Sequence, residues 1–229
     1  MTAHNPLSLR SFLLRYGYRA IVFILLMLII MIPDTFLLLF PQLHDILIAL
    51  IQSALFFLIL HYIYRFYNKQ LVANNPSNYG KKKISGRLIG FSILIFLSLQ
   101  GVNIVFIDLI AIDLPENQFI IEELFIYFPI AMTLSTVIAM PIAEELLFRG
   151  IFFNYFFTKN TPLFKALAII SSSILFGLIH EPAFSPPLIL YTTIGVLLAL
   201  TYVYTKNIFY PISIHICYNA IAVISIFSA

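Results

Sequence analysis

Long apolar runs separated by short polar breaks dominate the pattern of this 229-residue chain. Most runs are close to the ~20 residues that an α-helix needs to cross the hydrocarbon core of a bilayer. The pattern predicts about seven spans, and six to eight would fit it: roughly 20–40, 43–64, 88–109, 124–159, 162–180, 187–205 and 208–227. The predicted fold class is therefore an all-α, polytopic transmembrane helical bundle.

The fourth apolar run is too long for one straight span. Residues 124–158 would measure about 50 Å as a single helix, against a hydrocarbon core of about 30 Å. Either Pro129 or Pro141 can kink this helix, or a part of the run can lie along the membrane interface. The depth of the residues that the run carries stays open at this point.

Composition supports an integral membrane protein. The chain is 61% hydrophobic and 10% charged, whereas soluble domains are about 45–50% apolar and about 25% charged. Its one cysteine, Cys217, excludes a disulfide framework and a thiolate metal cage. The basic and apolar start resembles a signal peptide without a cleavage pattern, so we expect a retained anchor. No basic, aromatic-laced patch indicates nucleic acid binding.

Basic residues fall on alternate connections between the spans. They precede the first span and lie between spans two and three, four and five, and six and seven. The other connections carry acids without Lys or Arg, namely Asp34, Asp45, Asp113, Glu116 and Glu181. The positive-inside rule then places the N-terminus in the cytoplasm and the C-terminus outside.

The fourth run contains the most unusual polar residues, Glu144, Glu145 and Arg149. Ionisable groups at membrane depth cost a few kcal/mol each on insertion scales, so they are retained for pairing or for chemistry. In a helix Glu145 and Arg149 are one turn apart, while Glu144 projects about 100° away from Glu145. The turn can be a structural ion pair, or it can leave Glu144 free to take a proton from water.

Two later spans carry further polar side chains at helical spacing. Phe176 lies one turn before His180, and His215 lies one turn before Asn219. Each pair has a structural alternative, since His180 can be an interfacial group and His215 with Asn219 can be an interhelical staple. Gly177 would let another helix approach closely.

The three motifs in this order resemble those of the CPBP family of intramembrane proteases, which includes type II CAAX prenyl endopeptidases and bacteriocin-processing or immunity proteins. Glu144, Glu145 and Arg149 match the first motif, Phe176 and His180 the second, and His215 and Asn219 the third. The resemblance covers roughly residues 136–222. It implies a CPBP-like catalytic core at 124–229, preceded by variable spans at 1–123, in one membrane domain.

The resemblance implies hydrolysis of a peptide bond within the bilayer. Glu144 and His180 would activate a water molecule, and His215 and Asn219 would donate to the oxyanion, while Glu145, Arg149 and Phe176 would support them. Glu144, His180 and His215 are also candidate ligands of a divalent metal such as zinc. The spacing does not decide between a metal-dependent and a metal-free glutamate mechanism.

The expected partners are the lipid bilayer and a hydrophobic or membrane-associated peptide or protein substrate. The Ile-, Phe-, Lys- and Asn-rich usage fits an AT-rich bacterium, so the expected location is a bacterial plasma membrane. The rival hypothesis is a non-enzymatic membrane protein, such as a bacteriocin-immunity factor or a sensor-kinase partner, whose polar residues form a structural network. A small transporter is a third reading, although the sequence contains no inverted repeat.

Overall fold

The computed structural model describes residues 9–80, 83–112 and 116–228, and within these ranges the regular structure is helical. Lys81, Lys82 and Asp113, which entered the charge pattern, lie outside the described residues. The α-helices are α1 (Leu9–Ile30), α2 (Ile32–Leu39), α3 (Asp45–Ala73), α4 (Gly86–Asn103), α5 (Glu116–Tyr127), α6 (Pro129–Thr133), α7 (Met140–Glu145), α8 (Phe152–Phe156), α9 (Pro162–His180), α10 (Pro186–Thr205) and α11 (Phe209–Ser228). Wider π-helical turns cover Ile104–Leu109, Leu134–Ala139 and Leu146–Ile151.

Seven helical segments are long and apolar enough to cross a membrane, which confirms the predicted all-α polytopic bundle. These segments are Leu13–Leu39, Asp45–Ala73, Gly86–Leu109, Pro129–Phe156, Pro162–His180, Pro186–Thr205 and Phe209–Ser228. The third, fifth, sixth and seventh lie within two residues of the predicted spans. The first two extend further than predicted because helical structure continues past the apolar run, into residues 13–19 and 65–73.

Pro129 divides the long fourth run into two helices. Helix α5 ends at Tyr127, and Pro129 starts α6, where a missing N–H costs no helical hydrogen bond. The carboxylate of Asp45 accepts hydrogen bonds from the N–H groups of Ile130 and Ala131, at 2.8 and 3.0 Å. Residues 129–156 then form one span of 28 residues, similar in length to the first two spans, which reduces the excess length noted in the sequence.

The fourth span forms the centre of the bundle. Every residue from 143 to 155 is buried, and the helix packs against residues of α1, α3, α9 and α11. A helix that is buried on all sides differs from the amphipathic helix of a soluble domain. The arrangement therefore places Glu144 and Glu145 in the interior of the protein.

Helices α9 and α10 pack very closely, as Gly177 predicts. A Cβ atom at Gly177 would collide with Thr192 Oγ1 and would lie 3.2 Å from the backbone nitrogen of Thr192. At Gly195 it would lie 3.0 Å from the Cα atom of Ser173. Two glycines thus allow backbone contact at this interface, the usual role of small residues between membrane helices.

Candidate active site

Glu144 and Glu145 end helix α7 between two π-helical turns. In these turns Met140 N–H bonds to Ser135 O and Phe152 N–H bonds to Leu147 O, one residue further back than in an α-helix. Glu144 is 6% exposed and Glu145 is fully buried. Such wide turns recur at functional sites because the extra residue changes the direction in which side chains point.

Glu145 is held by two cationic or hydrogen-bonding partners. Its Oε1 accepts a hydrogen bond from Arg149 Nη1 at 2.9 Å and lies 3.1 Å from His215 Nδ1. Arg149 is fully buried and its Nη2 donates to the carbonyl oxygen of Gly195, also at 2.9 Å. Its guanidinium lies over the ring of Phe176, 4.7 Å from the centroid. Glu145 and Arg149 therefore form a fixed pair at the junction of the fourth, fifth, sixth and seventh spans.

Glu144 lies between the two histidines. Its Oε1 is 3.8 Å from His180 Nε2, and its Oε2 is 3.7 Å from His215 Nε2. Both distances exceed those of direct hydrogen bonds. Glu144 thus has two imidazole nitrogens directed at it without bonding either one.

The hydrogen bonds at Nδ1 fix the tautomer of each neutral imidazole. His180 Nδ1 lies 2.8 Å from the carbonyl oxygen of Phe176, which can only accept, so this nitrogen carries the proton. His215 Nδ1 similarly faces the Glu145 carboxylate. In the neutral rings both Nε2 atoms then present lone pairs to Glu144. A water molecule can supply the donors that this acceptor-lined space needs.

Asn219 lies one turn beyond His215 and donates from Nδ2 to the carbonyl oxygen of Thr136 at 2.9 Å. The reason lies in the π-helical turn Leu134–Ala139. Met140 N–H bonds to Ser135 instead of Thr136, and Pro141 has no N–H with which to replace it. The freed carbonyl takes a donor from the seventh span, so Asn219 is fixed with its second N–H not used in this bond.

The structure brings Glu144, His180 and His215 together, although the two histidines lie at different distances from the first residue of their helices. His180 lies about 27 Å along α9, whereas His215 lies only about 9 Å along α11. Both helices run in the same direction across the predicted topology. A common site therefore requires α9 and α11 to be offset or tilted relative to each other, which the apolar pattern alone did not indicate.

The described residues contain no group of three or more His, Cys, Asp or Glu side chains arranged to hold a metal ion. Glu144, His180 and His215 are nevertheless close to one another, and each Nε2 atom faces a Glu144 oxygen while each Nδ1 atom bonds elsewhere. Metal-ligating histidines commonly bond in this way through their other ring nitrogen, so these three side chains are the ones that would hold a divalent metal.

The sequence did not reveal a second polar cluster beside the site. Asp34, which the charge pattern assigned to a connection, lies in α2 within the first span. Its Oδ1 accepts from Gln52 Nε2 at 2.6 Å and from Ser135 Oγ at 2.7 Å. Asp34 is close enough to Glu144 for their charges to interact. Gln52 and Ser135 are single polar residues in apolar runs, which is the signal that could have identified them.

Two comparisons with known proteins find similarity to membrane peptidases. Residues 126–221 match the family model "Type II CAAX prenyl endopeptidase Rce1-like". The chain is also 34% identical over 109 residues to a Bacillus subtilis (strain 168) protein named "Putative membrane peptidase YdiL". That alignment covers 48% of this chain and 42% of the relative, so the chain matches less than half of that protein's length. No solved structure shows significant similarity.

These two matches support the resemblance that the three motifs indicate. The region 126–221 contains every motif residue named above and is similar to type II CAAX prenyl endopeptidases. The seven apolar helices make the protein an integral membrane protein.

Proposed function

We propose that this protein is an intramembrane endopeptidase that hydrolyses a peptide bond in a hydrophobic or membrane-associated peptide or protein. The observation that carries the proposal is the position of Glu144, a nearly buried carboxylate with an imidazole Nε2 atom 3.7–3.8 Å from each of its oxygens. A group of this kind can hold and deprotonate one water molecule. The family match supports a protease, whereas the roles of individual residues are our inference.

In the proposed reaction the water molecule binds between Glu144 and His180. Glu144 takes a proton as the water oxygen attacks the scissile carbonyl carbon. The carbonyl oxygen becomes an oxyanion, and collapse of the tetrahedral intermediate breaks the C–N bond. Glu144 returns the proton to the leaving amine, so that one water molecule is consumed and two peptide products form.

His215 and Asn219 are the proposed donors to the oxyanion. Because His215 Nδ1 donates to Glu145, its Nε2 can donate only when the ring is protonated, and the Glu145 carboxylate would stabilise that positive charge. Asn219 would use the N–H that is not bonded to Thr136. Removing one oxyanion donor typically costs about 10²–10³-fold in kcat.

We further propose that residues 124–229 form the catalytic core and residues 1–123 an accessory set of spans. The family match at 126–221 supports this division. By the positive-inside rule we propose a cytoplasmic N-terminus and an external C-terminus, in a bacterial plasma membrane. Cysteine accessibility labelling on both sides of the membrane, at exposed Val72 and Phe184, would test this topology.

The test of the function compares wild type with Glu144→Ala and His180→Ala. Purified proteins in liposomes are assayed against a panel of hydrophobic peptides, and bound metal is quantified on the same samples. We expect cleavage by wild type alone, with the thermal unfolding midpoint kept in both variants. Equal cleavage by all three proteins would contradict the proposal. Variants that unfold, beside a wild type that cleaves nothing, would favour the structural-network hypothesis.

A further inference from the structure

Four side chains from three spans stack into one column beside Glu144. The Arg149 guanidinium lies 4.7 Å from the centroid of the Phe176 ring. The Phe176 ring is 4.4 Å from the His180 ring, and the His180 ring is 4.7 Å from the Tyr191 ring. The interplanar angles of the two ring pairs are 35° and 32°. Tyr191 thus closes the column from α10, and no motif of the sequence analysis includes it.

His180 needs an additional constraint because of its position. It is the last residue of α9, where helices fray, and its side chain is 18% exposed. The bond from Nδ1 to the Phe176 carbonyl fixes one atom of the imidazole but leaves the ring free to tilt about that contact. A ring on each face restricts this tilt and keeps Nε2 directed at Glu144.

The close packing of α9 and α10 allows Tyr191 to reach His180. Gly177 precedes His180 by one turn, and any side chain there would collide with Thr192, the neighbour of Tyr191. Gly195, one turn after Tyr191 along α10, also packs closely against Ser173, and its carbonyl oxygen accepts the hydrogen bond from Arg149. The same two glycines therefore bring both ends of the column together.

We propose that Tyr191 is a positioning residue that acts through His180, by holding the imidazole plane between its own ring and that of Phe176. The inference rests on the proposed hydrolytic function, and it assigns the effect to the aromatic ring and not to the hydroxyl group. A misplacement of about 1 Å in a catalytic group can cost about 10²-fold in rate. Loss of the ring should therefore reduce kcat much more than it changes KM.

The experiment compares Tyr191→Leu with Tyr191→Phe, which keeps the ring. Tyr204→Leu is the matched control, since Tyr204 lies on the same helix and packs on Phe91. We expect Tyr191→Leu to lower kcat by about 10- to 10²-fold, with KM within about threefold. Tyr191→Phe and Tyr204→Leu should stay within about threefold of wild-type kcat. A loss in Tyr191→Phe equal to that in Tyr191→Leu would overturn the role of the ring.

NMR of histidine-labelled protein supplies a readout that does not depend on cleavage. Stacked rings shift the carbon-bound protons of His180 upfield, and these resonances are assigned by their loss in His180→Ala. We expect the shift in wild type and Tyr191→Phe, and its reduction in Tyr191→Leu. Contacts between the two rings in wild type test the stack even if Tyr191→Leu does not fold. If wild type cleaves no peptide the hydrolytic proposal fails, whereas absent ring contacts overturn the positioning role alone.

Discussion

The third and fourth spans are both long apolar segments, but they differ in burial and in mean hydropathy. Within an eighteen-residue window, 56% of the fourth span is buried and 17% of the third. The more buried span is the less apolar one, with a mean hydropathy of 1.5 against 2.1. This relation is the opposite of that in soluble proteins, because lipid accepts apolar side chains while the bundle interior supplies the partners of polar ones. The fourth span, which carries Glu144 and Glu145, is thus the most buried of the seven described spans and also the least apolar.

The two spans offer matched substitutions that test this difference. Each span carries a carboxylate, an arginine, a glycine and a serine. In the fourth span the chosen residues are buried, whereas in the third they are exposed or partly exposed. A substitution in the fourth span should change activity or stability, and the same substitution in the third should not.

The largest effect is expected for Glu144→Gln, which preserves shape but removes the proton acceptor. General acid–base groups typically contribute about 10²–10⁴-fold, so we expect a loss of that size in peptide cleavage with the thermal unfolding midpoint unchanged. Asp108→Asn, at an exposed carboxylate in the third span, should keep wild-type activity. Comparable losses in both variants would mean that Glu144 has no special role.

Residue pattern alone predicted the spans and singled out the polar residues within them, for a clear physical reason, whereas the family resemblance grouped those residues into motifs. A bilayer requires apolar helices of nearly fixed length, and a polar residue within one must have a partner or a function. The same argument predicts that Arg149 and Glu145, which are one helical turn apart, are partners of each other. Local sequence thus determines which residues are candidates for the site.

What the pattern could not predict depends on contacts between spans. The π-helical turn at Leu134–Ala139 persists because Asn219, more than eighty residues away, satisfies the carbonyl of Thr136. Likewise, the depth at which His180 meets His215 depends on the offset of two helices, and Asp34 gains its role from Gln52 and Ser135. The periodicity of apolar residues along the chain does not predict any of these contacts between spans.

The second prediction concerns Arg149→Met, which leaves the fully buried Glu145 with His215 as its remaining hydrogen-bonding partner. Breaking one partner of a buried pair costs about 3–5 kcal/mol, which we expect in the free energy of unfolding measured by denaturant titration in detergent. Arg87→Met, at the exposed start of α4, should change stability by less than about 0.5 kcal/mol.

A double variant tests whether Glu145 and Arg149 stabilise each other. Glu145→Gln combined with Arg149→Met removes both charges, so it should be more stable than Arg149→Met alone. A double variant that loses the sum of the two single losses would show that Glu145 and Arg149 do not stabilise each other.

The third prediction compares Gly150→Ala with Gly90→Ala. A Cβ atom at Gly150 would lie 2.9 Å from the buried ring of Tyr67, whereas one at Gly90 would meet no atom within 4 Å. Tyr67 cannot easily move, because its hydroxyl lies 3.2 Å from that of Tyr202. Overpacking typically costs about 1–3 kcal/mol, and we expect this loss in the free energy of unfolding for Gly150→Ala only. Equal stability of the two variants would show that the Tyr67 ring yields freely.

The smallest effect is expected for Ser135→Ala, compared with Ser98→Ala. Ser135 Oγ donates to Asp34 at 2.7 Å and is 2% exposed, whereas Ser98 Oγ bonds to a carbonyl within its own helix near the surface. Losing the Ser135 bond should cost about 1 kcal/mol, because Gln52 still donates to the same carboxylate oxygen. Ser98→Ala should be neutral. Both values are measured as differences in unfolding free energy, and a larger loss in Ser98→Ala would mean that burial does not distinguish the two spans. The double variant with Ser135→Ala and Gln52→Leu removes both donors to Asp34. Its loss in unfolding free energy should exceed the sum of the two single losses, because the Asp34 carboxylate would then lack both hydrogen bonds inside the bundle.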